Sequence, residues 1–135
     1  MLVEFNSLPE ESRIWIYQCN RTFTDLEVDE IELALTQFIT DWTAHGKGLQ
    51  ASYNIVYKRF IIIALNQDFN FATGCSIDAS VHFIQDLEQK YKVDLLDKMN
   101  VSYKQGEYIA YKNLKDFRQM IKNRSVTDKT IVFNN

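Results

Sequence analysis

Phe60-Ile61-Ile62-Ile63-Ala64-Leu65 is the most hydrophobic run of the chain, and it decides the fold that we predict. A continuous apolar run rich in β-branched residues is typical of a strand that is buried on both faces. We therefore predict that residues 60–65 form the central strand of a sheet. The run is followed by Asp68-Phe69-Asn70-Phe71-Ala72-Thr73-Gly74-Cys75-Ser76-Ile77-Asp78, where small, polar and reactive residues are concentrated as nowhere else in the chain.

Two further strands are predicted before this run. Residues 13–21 carry apolar bulk on both alternating faces, which predicts an inner strand. Residues 50–57 alternate in polarity, which predicts a strand with one face against the core. The change of pattern at Lys58-Arg59 predicts a hairpin that leads into residues 60–65.

The first helix is predicted by its start signal, because Thr24-Asp25-Leu26-Glu27 fits a capping box. Apolar residues then recur at three- and four-residue steps, at Val28, Ile31, Leu35, Phe38, Ile39 and Trp42. We predict that this helix ends with His45 in its last turn and Gly46 as its C-cap.

A second amphipathic pattern begins near Ser80 and ends at Tyr91, with Ser76 or Asp78 as the predicted N-cap. The pattern beyond it predicts two short strands, a third helix and a last strand, at residues 101–104, 107–112, 114–121 and 130–133.

This order predicts an α+β fold with two long helices on one face of an antiparallel sheet. The first six elements match the ferredoxin-like βαββαβ order, to which the chain adds a C-terminal strand and helix. A length of 135 residues predicts a single domain, with residues 1–11 as an N-terminal arm. The abrupt end at Asn134-Asn135 leaves room for a natural continuation.

Composition narrows the classes of partner. A net charge of -3 and a pI near 5.3 argue against a nucleic-acid partner, which needs concentrated positive charge. No segment predicts a secretory leader or a membrane span, so we expect a cytoplasmic protein without membrane contact. The spacing of Cys19 and Cys75 predicts neither a disulfide framework nor a metal site. We expect no metal and no cofactor.

One constellation of residues could support catalysis. Cys75 is the candidate nucleophile, His45 the candidate base, and Asp78, Asp41 or Asp68 the candidate orienting acid. Each has an alternative interpretation: Cys75 as a small buried hydrophobe, His45 as a helix-end cation, and Asp78 as a helix cap.

A second set of residues could hold a ligand. Gly74 and Ser76, on either side of Cys75, could present free amides to an anion at the start of a helix. Trp42 and Asp68 are further ligand-binding candidates. Phe71 could line the mouth of a pocket, or it could pin the loop to the core.

The segment 66–83, with Phe69-Asn70, Gly74-Cys75-Ser76-Ile77-Asp78 and Ser80-Val81, resembles a family of small uncharacterised bacterial proteins of the Bacteroidetes group. Members are sometimes labelled "ABC transporter ATPase", and Trp42-x-x-His45-Gly46 fits the same resemblance. The resemblance implies no established activity. Because the chain lacks a Walker-type phosphate-binding loop, we do not expect ATP hydrolysis.

These observations favour a small soluble, non-enzymatic binding or protein-interaction module. Its expected partners are a second copy of the chain or another protein, and a small-molecule or anion ligand. The alternative is a small thiol-dependent enzyme that uses Cys75 with His45 and a nearby carboxylate.

Overall fold

The structure is a computed structural model, and it describes residues 1–97, 100–105, 108–113, 119 and 131–133. They belong to two units, Met1–Leu95 and Leu96–Asn135. The first unit contains β1 (Arg13–Gln18), α1 (Asp25–Asp41), β2 (Thr43–Ala44), β3 (Lys47–Gly48), β4 (Ala51–Val56), β5 (Phe60–Leu65) and α2 (Gly74–Tyr91). The second contains β6 (Asn100–Gln105), β7 (Tyr108–Asn113) and β8 (Val132–Phe133). The predicted α+β class, with a small antiparallel sheet and two helices, is confirmed.

The sheet of the first unit has the order β1-β5-β4, and both pairs of strands are antiparallel. The prediction that residues 60–65 form the central strand is confirmed, since Ile63 lies opposite Trp15 on one side and Tyr53 on the other. The prediction of an inner strand at residues 13–21 is wrong for the described sheet, because β1 pairs with β5 alone and ends at Gln18.

Both helices contact the same face of this sheet. Thr36 of α1 shares a hydrogen bond of 3.2 Å with the hydroxyl of Tyr53. Tyr17, whose hydroxyl pairs with Ser80 of α2, lies on the same face by the strand register. The buried residues of the layer between are mostly aliphatic, and include Ile31, Leu35, Ile39, Ile61, Ile63, Leu65, Ile84 and Leu87. Burial of this apolar surface is the main force that holds the helices on the sheet.

The start of α1 confirms the predicted capping box. The Thr24 hydroxyl accepts from the Glu27 N–H, and the Glu27 carboxylate accepts from the Thr24 N–H. Glu27 also receives two hydrogen bonds of 2.7 Å from the guanidinium of Arg21. Arg21 also donates to the Tyr91 carbonyl at the end of α2 (3.1 Å). The Arg21 side chain therefore links the start of α1 to the end of α2.

The N-terminal arm reaches β4. Leu2 forms a parallel bridge with Ala51, and the α-amino group of Met1 donates to the carbonyls of Ile39 (3.1 Å) and Leu49 (2.9 Å). A short 3₁₀ turn, Phe5–Ser7, follows this bridge and also contacts β4.

In the second unit the predicted pair of strands is confirmed, because β6 and β7 are antiparallel and β8 pairs with β6 on its other side. The predicted third helix lies outside the described residues except for Gln119, which is helical. Among the described helices, none is both long and apolar enough to cross a membrane.

Replacement of Lys92 by Gly is expected to raise the free energy of unfolding by about 0.5–1 kcal/mol. Lys92 ends α2 in the left-handed conformation (φ 54, ψ 52), where a side chain is strained and glycine is not. Urea unfolding followed by circular dichroism measures the change. The matched control is Gln89→Gly inside α2, which should lower the same quantity by about 0.5–1 kcal/mol. A destabilised Lys92→Gly variant would contradict the prediction.

Candidate functional site

A cleft of about 450 Å³ opens where the end of α1, the β2–β3 hairpin and the first turn of α2 meet. We call it the Trp42 cleft. It is lined by Gln37, Phe38, Asp41, Trp42, Thr43, Ala44, His45, Thr73, Cys75, Ser76 and Ala79. The cleft therefore brings together three segments that are distant in the sequence.

Trp42 connects these three segments through its backbone and side chain. Its N–H donates to the Ile39 carbonyl as the cap of α1 (3.2 Å), and its carbonyl accepts from the Leu49 N–H beyond the hairpin (3.0 Å). Its indole Nε1–H donates to the Ser76 carbonyl in the first turn of α2 (2.8 Å). Because Trp42 is only 3% exposed, this last hydrogen bond is shielded from competition by water.

Aromatic packing fixes the position of the indole. The Trp42 ring meets Trp15 of β1 edge-on, with centroids 6.1 Å apart, and lies 5.4 Å from the Phe38 ring. Phe38 in turn stacks on Phe83 of α2 at 4.7 Å. Such ring pairs stabilise a packed site beyond their buried area. The wall of the cleft is therefore held by both helices and by the sheet.

His45 reaches the cleft from a tight turn and not from a helix. The prediction that it lies in the last turn of α1 is wrong, since α1 ends at Asp41. His45 and Gly46 are the two central residues of the β2–β3 hairpin, with φ of 53 and 75. Two residues of positive φ are typical of the hairpin turn that fits the twist of short strands. Gly46 is therefore a turn residue and not the C-cap.

Cys75 lies in the first turn of α2. The helix begins at Gly74, earlier than predicted, and its N-cap is Thr73, so the prediction of Ser76 or Asp78 as N-cap is wrong. Thr73 and Ser76 form a reciprocal capping box, and Ser76 is buried. The Cys75 thiol is free and exposed, so the interpretation of Cys75 as a buried hydrophobe is also wrong.

Five of the predicted site residues line the Trp42 cleft: Asp41, Trp42, His45, Cys75 and Ser76. The others do not line it: Gly74, Asp78, Asp68 and Phe71. Phe71 is 69% exposed, so it does not pin the loop to the core.

Sequence reasoning did not nominate the other six lining residues, Gln37, Phe38, Thr43, Ala44, Thr73 and Ala79. Thr73 had a readable signal, because Thr73-x-x-Ser76 has the three-residue spacing of a capping box. Gln37 and Ala79 had no readable signal, because a polar or a small residue on a helix does not indicate a cleft.

The catalytic constellation is only partly assembled. Cys75, His45 and Asp41 line the same cleft, but in the described part of the chain no hydrogen bond involves the Cys75 thiol or the His45 ring. The Asp41 carboxylate accepts from Gln37 (2.5 Å) and does not orient His45. Across the described residues, no group of three or more His, Cys, Asp or Glu side chains is placed to hold a metal ion.

Comparison with known proteins adds no assignment. No protein-family model matches the chain, and no curated protein or solved structure matches it either. Arguments about function therefore depend on the chain's own residues.

The two cysteines are expected to react very differently with a thiol reagent. Cys75 is exposed, whereas Cys19 is fully buried and burial raises the pKa of its thiol. A colorimetric disulfide reagent should therefore label one thiol per folded chain and both thiols in denaturant. Mass spectrometry of the labelled peptides identifies the residue, and Cys75→Ser is the control that should remove the fast reaction. Rapid labelling of Cys19 in the folded chain would contradict the prediction.

Proposed function

We propose that the chain is a small non-enzymatic binding module and that the Trp42 cleft holds a small-molecule ligand. The observation that carries the proposal is the convergence of three segments on Trp42. A concave site with an aromatic wall and a few polar groups at its rim is the usual form of a small-molecule site. Here Phe38 supplies part of the aromatic wall, and Thr73, His45 and Asp41 supply the polar groups.

Binding is favoured over catalysis by the state of the two reactive residues. Nucleophilic catalysis needs a thiol, a base within hydrogen-bond reach and a group that orients the base. Among the described residues, Cys75 and His45 are exposed side chains without hydrogen bonds, and the Asp41 carboxylate in the cleft accepts from Gln37. The cleft itself, in contrast, is already formed.

Fragment capture on Cys75 tests this proposal directly. A panel of small disulfides with anionic, cationic, neutral polar and aromatic groups is mixed with the protein under partly reducing conditions. The Cys75 thiolate attacks a fragment disulfide, forms a new S–S bond and releases the other half as a thiol. Fragments that bind the Trp42 cleft should be captured about tenfold more than the rest, which mass spectrometry measures.

A cleft-filling variant provides the control. Ala79→Trp places an indole in the cleft from an exposed position of α2, and it should remove the selectivity among fragments. Gln85→Trp, at an exposed position of α2 outside the cleft, should leave that selectivity unchanged. Capture of all fragments in equal amounts by the natural sequence would refute the binding proposal.

A second candidate function is thiol-dependent catalysis, favoured by the presence of Cys75 and His45 in one cleft. If His45 activates the thiol, His45→Ala should slow the alkylation of Cys75 by iodoacetamide about tenfold or more at pH 7. Our proposal predicts a change of less than about twofold in this rate. Alkylation of folded and unfolded protein at the same pH separates a site effect from a change in exposure.

We further propose that the chain follows the ferredoxin-like βαββαβ order. The sheet order β1-β5-β4 corresponds to the first three strands of that fold. The segment after α2 returns to the residues that follow β1, because the Asn20 N–H donates to the Asp94 carbonyl (3.3 Å) and the Asp94 N–H donates to the Asn20 side chain (3.1 Å).

We also propose that the chain is a bacterial, cytoplasmic protein related to the Bacteroidetes family, and that it forms a homodimer. Light scattering across micromolar concentrations tests the homodimer, and a constant monomer mass would remove that part of the proposal.

A further inference from the structure

Among the described residues, backbone pairing on the outer edge of β4 involves Ala51 alone. The Ala51 N–H donates to the Met1 carbonyl (3.1 Å), and the Ala51 carbonyl accepts from the Val3 N–H (3.0 Å). Backbone groups of successive residues in a strand point to opposite sides, so those of Tyr53 and Ile55 point outward like those of Ala51. Within the described residues, no backbone hydrogen bond reaches Tyr53 or Ile55 from that side.

Beside this open edge lies a depression of about 450 Å³ that includes Ser52, Tyr53 and Asn54 on one side. The arm and α1 form its other sides, and its only charged lining residues in the described part of the chain are Glu4 and Glu32. Both are exposed, and no described ion pair involves either carboxylate. The depression therefore has negative charge, and its described lining includes no basic residue to balance it.

Together these features define a surface that we call the β4 edge site: the outward backbone of Tyr53 and Ile55, with the carboxylates of Glu4 and Glu32. We propose that the β4 edge site binds an extended, basic segment of a partner protein, which adds to the sheet as a further strand. Main-chain hydrogen bonds supply affinity in this kind of recognition, and alternate side chains supply specificity. A lysine or arginine of the segment would enter the depression between the two glutamates.

The occupant follows from the chemistry of the edge. Open strand edges promote pairing with other chains, and proteins commonly protect them with charged or covering residues. This edge has no lysine and no proline between Ala51 and Val56. Among the described residues of β4, the backbone of the arm hydrogen-bonds to Ala51 alone, although the 3₁₀ turn Phe5–Ser7 also lies against β4. The flanking charge is negative, so it repels acidic chains and favours basic ones. The proposal is independent of the Trp42 cleft.

Synthetic peptides test the β4 edge site. The probe is a fluorescently labelled, acetylated six-residue peptide of alternating valine and lysine, and anisotropy measures its binding to the full chain. Its affinity should exceed that of the valine–glutamate peptide by about tenfold or more and should fall as salt is raised. A valine–lysine peptide with alternate backbone nitrogens methylated keeps the charge but loses donors, and should bind about tenfold more weakly.

Variants of the protein locate the site. Glu32→Lys should weaken binding of the valine–lysine peptide about tenfold. Its matched control is Asp86→Lys, an exposed position on α2 that makes the same change in net charge, and it should weaken binding less than about twofold. Circular dichroism of both variants verifies that they fold.

Several results would overturn the proposal. One is that the valine–lysine peptide fails to bind, and another is that the valine–glutamate or methylated peptide binds with the same affinity as the valine–lysine peptide. A third is that Glu32→Lys and Asp86→Lys weaken binding of the valine–lysine peptide equally. Dimerisation that the peptide inhibits would assign the edge to a second copy and also overturn it. Fragment capture on Cys75 reports separately on the Trp42 cleft, so the two proposals can fail independently.

Discussion

Trp42→Ala is expected to lower the free energy of unfolding by about 3–5 kcal/mol, the usual cost of removing a buried aromatic side chain from a packed core. The indole is almost fully buried, contacts the rings of Trp15 and Phe38, and donates to Ser76. Its removal leaves a cavity and breaks the hydrogen bond to the first turn of α2. Urea unfolding measures the loss, and fragment capture on Cys75 should lose its selectivity.

Trp42→Phe separates the hydrogen bond from the packing. The phenyl ring keeps most of the apolar contact but cannot donate to the Ser76 carbonyl, so we expect a loss of about 1–2 kcal/mol. The control is Trp15→Phe at a half-buried position, for which we expect a loss under about 1 kcal/mol. Unchanged stability and unchanged fragment selectivity in Trp42→Phe would show that the Trp42–Ser76 hydrogen bond does not hold the cleft.

The second large effect is a loss of stability in acid, which should follow when Glu27 of the Arg21–Glu27 ion pair becomes protonated. The Arg21 guanidinium, which donates two hydrogen bonds, lowers the pKa of Glu27 from 4.5 to about 2. Because the folded pKa is below the unfolded value, the stabilisation is present above about pH 4.5 and is lost as the pH falls towards 2. We expect a loss of roughly 1–2 kcal/mol, less than full linkage because Arg21 is 40% exposed.

Glu27→Gln tests this assignment. The variant should be less stable than the natural sequence by about 1–2 kcal/mol at pH 7, and the difference should vanish near pH 2. Urea unfolding at a series of pH values provides the measurement. Glu32→Gln is the control, since Glu32 is exposed on the same helix and forms no described ion pair. A difference that stays constant from pH 7 to pH 2 would mean that Glu27 acts through packing and not through its charge.

The parts of the fold that could be predicted are those with a local cause. The central strand at residues 60–65 follows from its own hydrophobicity, and the start of α1 follows from Thr24 and Glu27, three residues apart. The start of α2 has an equally local signal in the pair Thr73 and Ser76. The sequence alone does not single out Thr73 as the N-cap, because Ser76 and Asp78 are also residue types that commonly cap helices. Helix starts are predictable because their hydrogen bonds span only three residues.

The site depends on contacts that no local pattern contains. Trp42 and Ser76 are 34 residues apart, and their hydrogen bond forms only once both helices lie on the sheet. His45 has the sequence environment of a helix end, yet the turn at residues 45–46 follows from pairing of β2 with β3. Sequence could therefore nominate His45 and Cys75 as candidates but could not bring them into one cleft.

By itself, the sequence determined an α+β chain with a buried middle strand, two helices and a set of candidate site residues, because hydrophobic periodicity and capping act over a few residues. Only the tertiary structure decided that β1 and β4 are edge strands of the described sheet, and that Trp42, His45 and Cys75 share a cleft. The physical reason is that burial and strand pairing depend on contacts between segments that are distant in the sequence. Their outcome is set by which surfaces fit together when the chain collapses.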